Sequence, residues 1–143
     1  MGRRTPAQAY ALVFGTVLVI VGLLGFFVEP SFSVGDDVVK GEELILFEIN
    51  GWHNVVHLVT GAVGLAVAKS VLASRTYCLA YGAVYMLVLV LGLVALDDRD
   101  VLLKLIPVNG ADNVLHALLA LTAIGAGLAT PAHPAPTTRA RAA

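Results

Sequence analysis

Four stretches of the sequence contain no Asp, Glu, Lys or Arg, and this spacing of charge restricts what the chain can fold into. They cover residues 9–28, 49–68, 76–96, and 113 onwards into a Pro/Ala-rich end. A helix of about 20 residues crosses a hydrocarbon core of roughly 30 Å, so each stretch can span a bilayer. Only 13% of the residues are charged, about half the usual share in soluble domains. We therefore predict an all-α membrane protein with four transmembrane helices, and we disfavour a soluble enzyme, a disordered chain and a nucleic-acid binder.

The predicted helices form one transmembrane domain over residues 1–129. They lie near 9–28, 52–73, 77–96 and 112–129. A signal peptide has a shorter apolar run that is followed by a cleavage site of small residues, so we expect the first helix to be retained. Residues 130–143 are rich in Pro and Ala, a composition that is typical of a disordered tail.

Charge is sorted between alternate loops of the predicted helices. The N-terminal tail, the second loop and the C-terminal tail carry six basic residues and no acid: Arg3, Arg4, Lys69, Arg75, Arg139 and Arg141. The first and third loops, with the helix ends that border them, carry all 10 acidic residues and three basic ones, Lys40, Arg99 and Lys104. Because basic loops stay in the cytoplasm, we predict a multi-pass protein of the cell membrane with both termini cytoplasmic.

The two halves of the chain resemble each other. At an offset of 67 residues, 10–25 and 77–92 share seven identities in sixteen positions; at an offset of 59, 50–57 and 109–116 share five in eight. Self-similarity on this scale indicates a repeated unit, here a helical hairpin. Both hairpins begin on the cytoplasmic side, so we predict two tandem parallel repeats with a pseudo-two-fold axis along the membrane normal.

The outer loops contain apolar residues as well as charges. Residues 41–49 mix Leu, Ile and Phe with Glu, and residues 101–106 set Leu, Ile and Val around a lysine. Both segments are too short to cross a bilayer. We predict that they lie in the outer headgroup layer or fold over the mouth of the bundle.

One polar motif occurs in each half, as N-G-W-H-N-V-V-H at 50–57 and N-G-A-D-N-V-L-H at 109–116. An asparagine side chain can accept hydrogen bonds from the free amides of a first helical turn. The second and fourth helices are therefore expected to begin after Asn50 and Asn109.

The histidines of these motifs lie at helical spacing. Residues four apart share a helix face, which pairs His53 with His57 and Asp112 with His116. Small residues on the same faces favour contact between the second and fourth helices along the axis. We predict that this contact brings three imidazoles and one carboxylate together just below the outer surface.

Three interpretations of these side chains compete. In the first, a polar network joins the helices, because polar groups at membrane depth pair with one another. Its members are Asn50, Asn54, His57, Asn109, Asn113 and His116. In the second, a transition metal such as zinc, copper or iron is bound by His53, His57, Asp112 and His116. In the third, His57 and His116 are the axial ligands of a haem.

Four segments of the chain resemble a known family. They are R-T-P-x-Q-x-Y at 4–10, F-E-I-N-G-W-H-N-V-V-H at 47–57, R-T-Y at 75–77 and I-P-V-N-x-x-D-N-V-L-H at 106–116. Together they resemble an actinobacterial family of small four-helix integral membrane proteins that is described as a domain of unknown function. The resemblance implies an integral membrane protein with no established biochemical activity, and it implies no catalytic or binding residue.

Sequence motifs give little support to catalysis. The chain contains no G-x-S-x-G, P-loop, dinucleotide-binding or H-E-x-x-H motif, and no charged residue in the middle of a predicted helix. We therefore predict a structural or accessory protein that is not an enzyme. Its predicted partners are the lipid bilayer and a second copy or a larger membrane complex. The competing prediction is a metal- or haem-binding membrane protein that uses the outer-facing cluster.

Overall fold

The computed structural model describes residues 3–38, 42–94 and 101–132, and over these ranges the protein is mostly helical. The helices are α1 (Pro6–Val28), α2 (Gly51–Val67), α3 (Val71–Val94) and α4 (Gly110–Leu128), and a short 3-10 turn covers Gly35–Asp37. Several predictions fall outside the described residues. They concern the tail after residue 132 and the charged residues Lys40, Asp97, Asp98, Arg99, Asp100, Arg139 and Arg141.

Three of the four helices are long and apolar enough to cross a membrane. They are α1, α3 and α4, with 23, 24 and 19 residues. Large apolar side chains on their outward faces, such as Ile20 on α1 and Leu87 on α3, are about half exposed. Exposure of so many large apolar side chains is costly in water but suits contact with lipid. The fold is therefore that of a helical membrane protein.

The break between α2 and α3 lies earlier than predicted. The sequence prediction ended the second helix at 73 and began the third at 77, whereas α2 ends at Val67 and α3 begins at Val71. Ser70 makes the break, because its amide donates to the Val67 carbonyl at 2.9 Å and its hydroxyl accepts from the Ala73 amide at 3.3 Å. A serine hydroxyl is a good acceptor for the free amides of a first helical turn. The predicted boundary was therefore wrong.

Each of the two apolar loops contains a short antiparallel β-hairpin. The strands are β1 (Glu43–Leu44) with β2 (Phe47–Glu48), and β3 (Val101–Leu102) with β4 (Ile106–Pro107). The turns place Ile45, Leu103 and Lys104 at positive φ values of 67°, 53° and 57°. Because side chains other than glycine rarely adopt this conformation, the surrounding contacts must hold both turns in place.

Small residues allow close packing within each pair of consecutive helices. A Cβ atom at Gly15 of α1 would lie 3.0 Å from the Gly61 carbonyl oxygen of α2, and a Cβ atom at Gly82 of α3 would lie 2.9 Å from the Ala120 carbonyl oxygen of α4. Helices approach this closely only where side chains are small. The tight pairs are thus α1 with α2 and α3 with α4. Since α2 and α4 make little backbone contact, the prediction that they touch along the axis was wrong.

Buried tyrosines from α1 and α3 fill the centre of the bundle. The rings of Tyr10 and Tyr81 lie 6.1 Å apart in an edge-on arrangement. The Tyr10 hydroxyl donates to the Leu119 carbonyl of α4 at 3.0 Å, and the Tyr77 hydroxyl donates to the Thr60 carbonyl of α2 at 3.1 Å. Buried tyrosine hydroxyls usually have such a partner. These two bonds connect the first helix pair to the second.

Candidate functional site

The candidate site lies at the hairpin end of the bundle, which is the end covered by residues 43–48 and 101–107. Asn50 precedes α2, and its side-chain oxygen accepts from the His53 amide at 2.9 Å. Asn109 precedes α4, and its side-chain oxygen accepts from the Asp112 amide at 3.0 Å. These caps satisfy free amides of each first turn and fix the position of the residues there.

Each capping asparagine also holds the hairpin of the other half. The Asn50 Nδ2 atom donates to the Leu105 carbonyl at 2.6 Å, and the Asn109 Nδ2 atom donates to the Leu46 carbonyl at 2.9 Å. An amide side chain carries both an acceptor and a donor, so a single residue serves its own helix and the opposite turn. The start of α2 therefore holds the second hairpin, and the start of α4 holds the first.

Changing Asn50 to serine separates these two roles. The hydroxyl of Asn50→Ser keeps an acceptor for the His53 amide, but the shorter side chain has no amide group to donate to the Leu105 carbonyl. We expect it to lower the free energy of unfolding by about 1 kcal/mol, the net value of one hydrogen bond. Asn50→Ala also removes the cap and should lower it by about 2 kcal/mol. SDS titration in mixed micelles, followed by circular dichroism, measures both. Equal losses would show that the cap contributes nothing.

Three buried side chains meet beneath the hairpins. His53, Asp112 and His116 are exposed by only 4%, 1% and 5%. One nitrogen of each imidazole and one carboxylate oxygen of Asp112 all lie within 4.8 Å of one another. Two imidazoles and a carboxylate are ligand types that bind zinc and other first-row transition metals. We call these three residues the His/Asp triad.

The backbone of Glu48 orients two members of the triad. His53 Nδ1 lies 2.8 Å from the Glu48 carbonyl oxygen, so this nitrogen carries the proton and Nε2 carries the lone pair. Asp112 Oδ2 accepts from the Glu48 amide at 3.2 Å and from the Asn109 amide at 2.9 Å. Both side chains are thus held in position by main-chain groups. Sequence reasoning did not identify this role of Glu48, because a main-chain contact has no sequence signal.

His57 lies beside the triad. Its ring stacks on the His53 ring, with the ring centroids 4.5 Å apart, but His57 is not among the residues whose ligand atoms lie within 4.8 Å of one another. The Nδ1 atoms of His57 and His116 are buried and have no hydrogen-bond partner within residues 3–38, 42–94 and 101–132. Buried polar atoms are nearly always partnered in folded proteins. These two nitrogens therefore require a further explanation.

Asn54 and Asn113 bond within their own helix pairs. The Asn54 Nδ2 atom donates to the Glu29 carbonyl at 3.0 Å, and the Asn113 Nδ2 atom donates to the Gly92 carbonyl at 3.3 Å. These contacts tie the starts of α2 and α4 to the ends of α1 and α3. The described hydrogen bonds of these two asparagines therefore lead away from the histidines with which the sequence grouped them.

Two cavities adjoin the triad. One of about 210 Å³ is lined by apolar side chains that include Val17 of α1, and the other, of about 230 Å³, by side chains that include Val84 of α3. His53 and His116 line both cavities. Pockets for drug-sized ligands measure roughly 300 to 1,000 Å³. Each cavity is therefore too small for a drug-sized ligand, although a cavity of about 150 Å³ already holds benzene.

This fold and site define a helical membrane protein with a buried polar cluster under two β-hairpins, each of which is bound by the helix start of the other half. Residues 8–129 match the family model described as Domain of unknown function (DUF4383). The match covers most of the chain, so the protein belongs to this family. No curated protein and no solved structure matches the chain.

Proposed function

We propose that the protein crosses the membrane four times and consists of two tandem helical-hairpin repeats, α1–α2 and α3–α4. The sequence offsets of 67 and 59 residues relate the halves, and the contacts follow the same offsets. Gly15 packs on Gly61 in the first pair, and the equivalent Gly82 packs on Ala120 in the second. Equivalent residues making equivalent contacts support a repeated unit.

Hydrogen bonds between the halves support a pseudo-two-fold axis along the membrane normal. Tyr10 donates to the Leu119 carbonyl, while its equivalent Tyr77 donates to the carbonyl of Thr60, which is the equivalent of Leu119. The two bonds from the capping asparagines to the opposite hairpins are exchanged in the same way. A two-fold axis interchanges the halves and so converts each bond into its partner, whereas a translation does not.

The proposed fourth span is α2. Its 17 residues rise about 26 Å at 1.5 Å per residue, which is at the lower limit for a transmembrane helix. Gln8 Nε2 in the first turn of α1 donates to the Lys69 carbonyl just after α2, at 3.1 Å. The chain therefore returns to the end from which α1 starts. A helix that packs antiparallel on a spanning neighbour over this distance crosses the same layer.

We further propose that this end faces the cytoplasm and that the hairpin end faces outward across the cell membrane. Among the described residues, the charged side chains at the end where α1 begins and α2 ends are basic: Arg3, Arg4, Lys69 and Arg75. The acidic residues of the described chain lie toward the hairpin end, among them Glu29, Glu43 and Asp112. The positive-inside rule assigns the basic end to the cytoplasm. Both termini then lie inside the cell.

A structural or accessory role is the function that the geometry supports best. The observation that carries it is the pair of hydrogen bonds from Tyr10 and Tyr77, one buried and one partly buried, which join the two helix pairs. Interhelical hydrogen bonds in membranes contribute about 0.6 kcal/mol each and favour one arrangement of the helices. The proposal assigns no catalytic residue. The exposed apolar faces of α1 and α3 are the proposed surfaces for lipid, a second copy or a larger membrane complex.

The second candidate function is cofactor binding by the cluster at the hairpin end. Ligand atoms of His53, Asp112 and His116 lie within 4.8 Å of one another, and this grouping favours a metal ion as the cofactor. Axial ligation of a haem by His57 and His116 stays a prediction from the sequence. The absorption spectrum of the purified protein, with or without a Soret band, tests it directly.

Cysteine labelling tests the four-pass arrangement. Cys78 is fully buried, so Cys78→Ala gives a background without a natural thiol, into which Glu42→Cys, Lys69→Cys or Ala132→Cys is introduced. We expect a membrane-impermeant maleimide to label Glu42→Cys in intact cells, because this site belongs to the hairpin end. Lys69→Cys and Ala132→Cys should react only after the membrane is permeabilised. Labelling of both Glu42→Cys and Lys69→Cys in intact cells would contradict a span at α2.

The same Cys78→Ala protein tests the accessory role. Extraction into native lipid nanodiscs keeps weak neighbours together, and mass photometry then measures the mass of the particle. A structural or accessory protein should give a particle with more than one copy of the chain or with a second protein. Particles that hold a single 14.9 kDa chain would contradict this role and leave the four-pass arrangement standing.

A further inference from the structure

We propose that His53, Asp112 and His116 bind one divalent transition-metal ion, and that zinc is the ion which this donor set suits best. The proposal goes beyond the structural role, because it gives the buried triad a ligand. Two imidazoles with one carboxylate form known zinc sites that have three protein ligands and one open position. The same three groups also bind iron(II), so the experiment below includes that ion.

The separation of the ligand atoms is close to what a metal needs. One atom from each of the three residues lies within 4.8 Å of the other two. Ligands about 2.1 Å from a tetrahedral ion lie about 3.4 Å from one another. The largest separation of 4.8 Å exceeds this spacing by about 1.4 Å, a change that rotation of the side chains can supply.

The contacts around the triad are those of a metal site. Metal-bound histidines usually donate their second ring N–H to a backbone carbonyl or a carboxylate, which fixes the tautomer and aims the other nitrogen at the ion. His53 has this contact through Nδ1 and the Glu48 carbonyl. The Asp112 carboxylate is likewise oriented by two backbone amides through Oδ2, and Oδ1 is its second oxygen. Two of the three ligands are thus held in place before an ion arrives.

Hydrogen bonding alone accounts less well for the cluster. In a purely structural network the histidines would bond to one another or to Asp112. Among the described residues, however, the side-chain hydrogen bonds of His53 and Asp112 lead to main-chain atoms of Glu48 and Asn109. The Nδ1 atom of His116 is buried with no partner among the described residues. A buried nitrogen without a partner carries a desolvation cost, and coordination of the ion through Nδ1 of His116 removes it.

The Asp112 carboxylate offsets part of the charge of a cation bound at this point. Asp112 contributes one negative charge to the triad, and the walls of the adjoining cavities are mainly apolar. Electrostatic attraction between a carboxylate and a cation is stronger in such an environment than in water. The cavities also leave room for a water molecule or another small ligand at the open position of the ion.

Metal binding by the detergent-purified protein tests the proposal. The full chain is stripped with chelator, dialysed and titrated with Zn²⁺, Fe²⁺ under anaerobic conditions, or Mg²⁺, with calorimetry and elemental analysis as readouts. We expect one Zn²⁺ per chain and no binding of Mg²⁺, which prefers oxygen ligands in octahedral geometry. Tighter binding of Fe²⁺ than of Zn²⁺ would overturn the assignment of zinc. No stoichiometric binding of either ion would overturn the site.

Single substitutions identify the ligands. His53→Ala, His116→Gln and Asp112→Asn should each weaken Zn²⁺ binding by at least about 100-fold, since loss of an outer-shell contact alone costs 10- to 100-fold. His57→Ala is the matched control, because His57 stacks on His53 but lies outside the triad, and it should change the affinity by less than about 10-fold. A loss in His57→Ala equal to that in His53→Ala would overturn the three-residue assignment.

A thermal melt of each variant separates loss of the site from loss of the fold. Zn²⁺ should raise the melting temperature of the parent protein and of His57→Ala, because an ion that binds only the folded state stabilises it. It should leave the melting temperature of Asp112→Asn unchanged, although that variant retains an acceptor for the cap. An equal rise in Asp112→Asn would overturn the proposal. Cysteine labelling is independent of metal, so a failure here leaves the four-pass arrangement intact.

Discussion

Replacement of Gly61 by alanine is expected to lower the free energy of unfolding by about 3 kcal/mol, at the upper end of the cost of overpacking. A Cβ atom at this position would lie 2.7 Å from the Gly15 carbonyl oxygen and 2.8 Å from the Val19 amide nitrogen. Both are backbone atoms of α1, so relief requires the helices to separate. SDS titration of the variant in mixed micelles, followed by circular dichroism, measures the loss.

Gly125→Ala is the matched control for this substitution. No heavy atom lies within 4 Å of a Cβ built at Gly125, although this glycine is also inside a helix. Alanine is the better helix former by about 1 kcal/mol. We therefore expect Gly125→Ala to be neutral or to stabilise the protein. If both variants lose stability equally, the cost comes from the change of residue and not from the contact between α1 and α2.

The helices could be predicted because lipid imposes a simple rule on charge. Residues 9–28 carry no charged side chain, and α1 covers Pro6–Val28. The break at Ser70 was missed because serine in an apolar run gives a weaker signal than glycine or proline. The β-hairpins were missed for a related reason, since their turns place Ile45 and Leu103 at positive φ, where glycine or asparagine is expected.

The candidate site could be predicted only in part. Helical spacing and the repeated motif grouped His53 and His57 with Asp112 and His116, and the structure brings ligand atoms of His53, Asp112 and His116 within 4.8 Å of one another. The same spacing also included His57. Positions four apart differ by only about 40° around a helix, so the sequence pattern cannot separate His57 from His53. The anchoring by the Glu48 main chain depends on the path of the first hairpin, which no side-chain pattern records.

Asp112→Ala is expected to cause the largest loss of stability, about 4 kcal/mol, because two partly buried N–H groups each lose a hydrogen bond to a carboxylate that is worth roughly 2 kcal/mol. These are the amides of Asn109 and Glu48, both of which donate to Asp112 Oδ2. Loss of the first contact opens the capping box of α4, and loss of the second releases the first hairpin from the start of α4. The same SDS titration in mixed micelles measures the effect.

Asp112→Asn distinguishes the role of Asp112 in stability from its role in metal binding. Asparagine keeps a side-chain oxygen for the two amides but loses the negative charge near the start of α4, so the expected loss of stability is only about 1 kcal/mol. If Asp112→Asn is as unstable as Asp112→Ala, then charge and not hydrogen bonding supports the cap. If Asp112→Ala is as stable as the parent, then the two amides find other acceptors.

The combination expected for Asp112→Asn is a nearly intact fold that no longer binds zinc, because a neutral amide cannot replace the carboxylate as a ligand. That combination would show that the charge of Asp112 serves a bound ion, whereas its oxygen alone serves the hydrogen bonds.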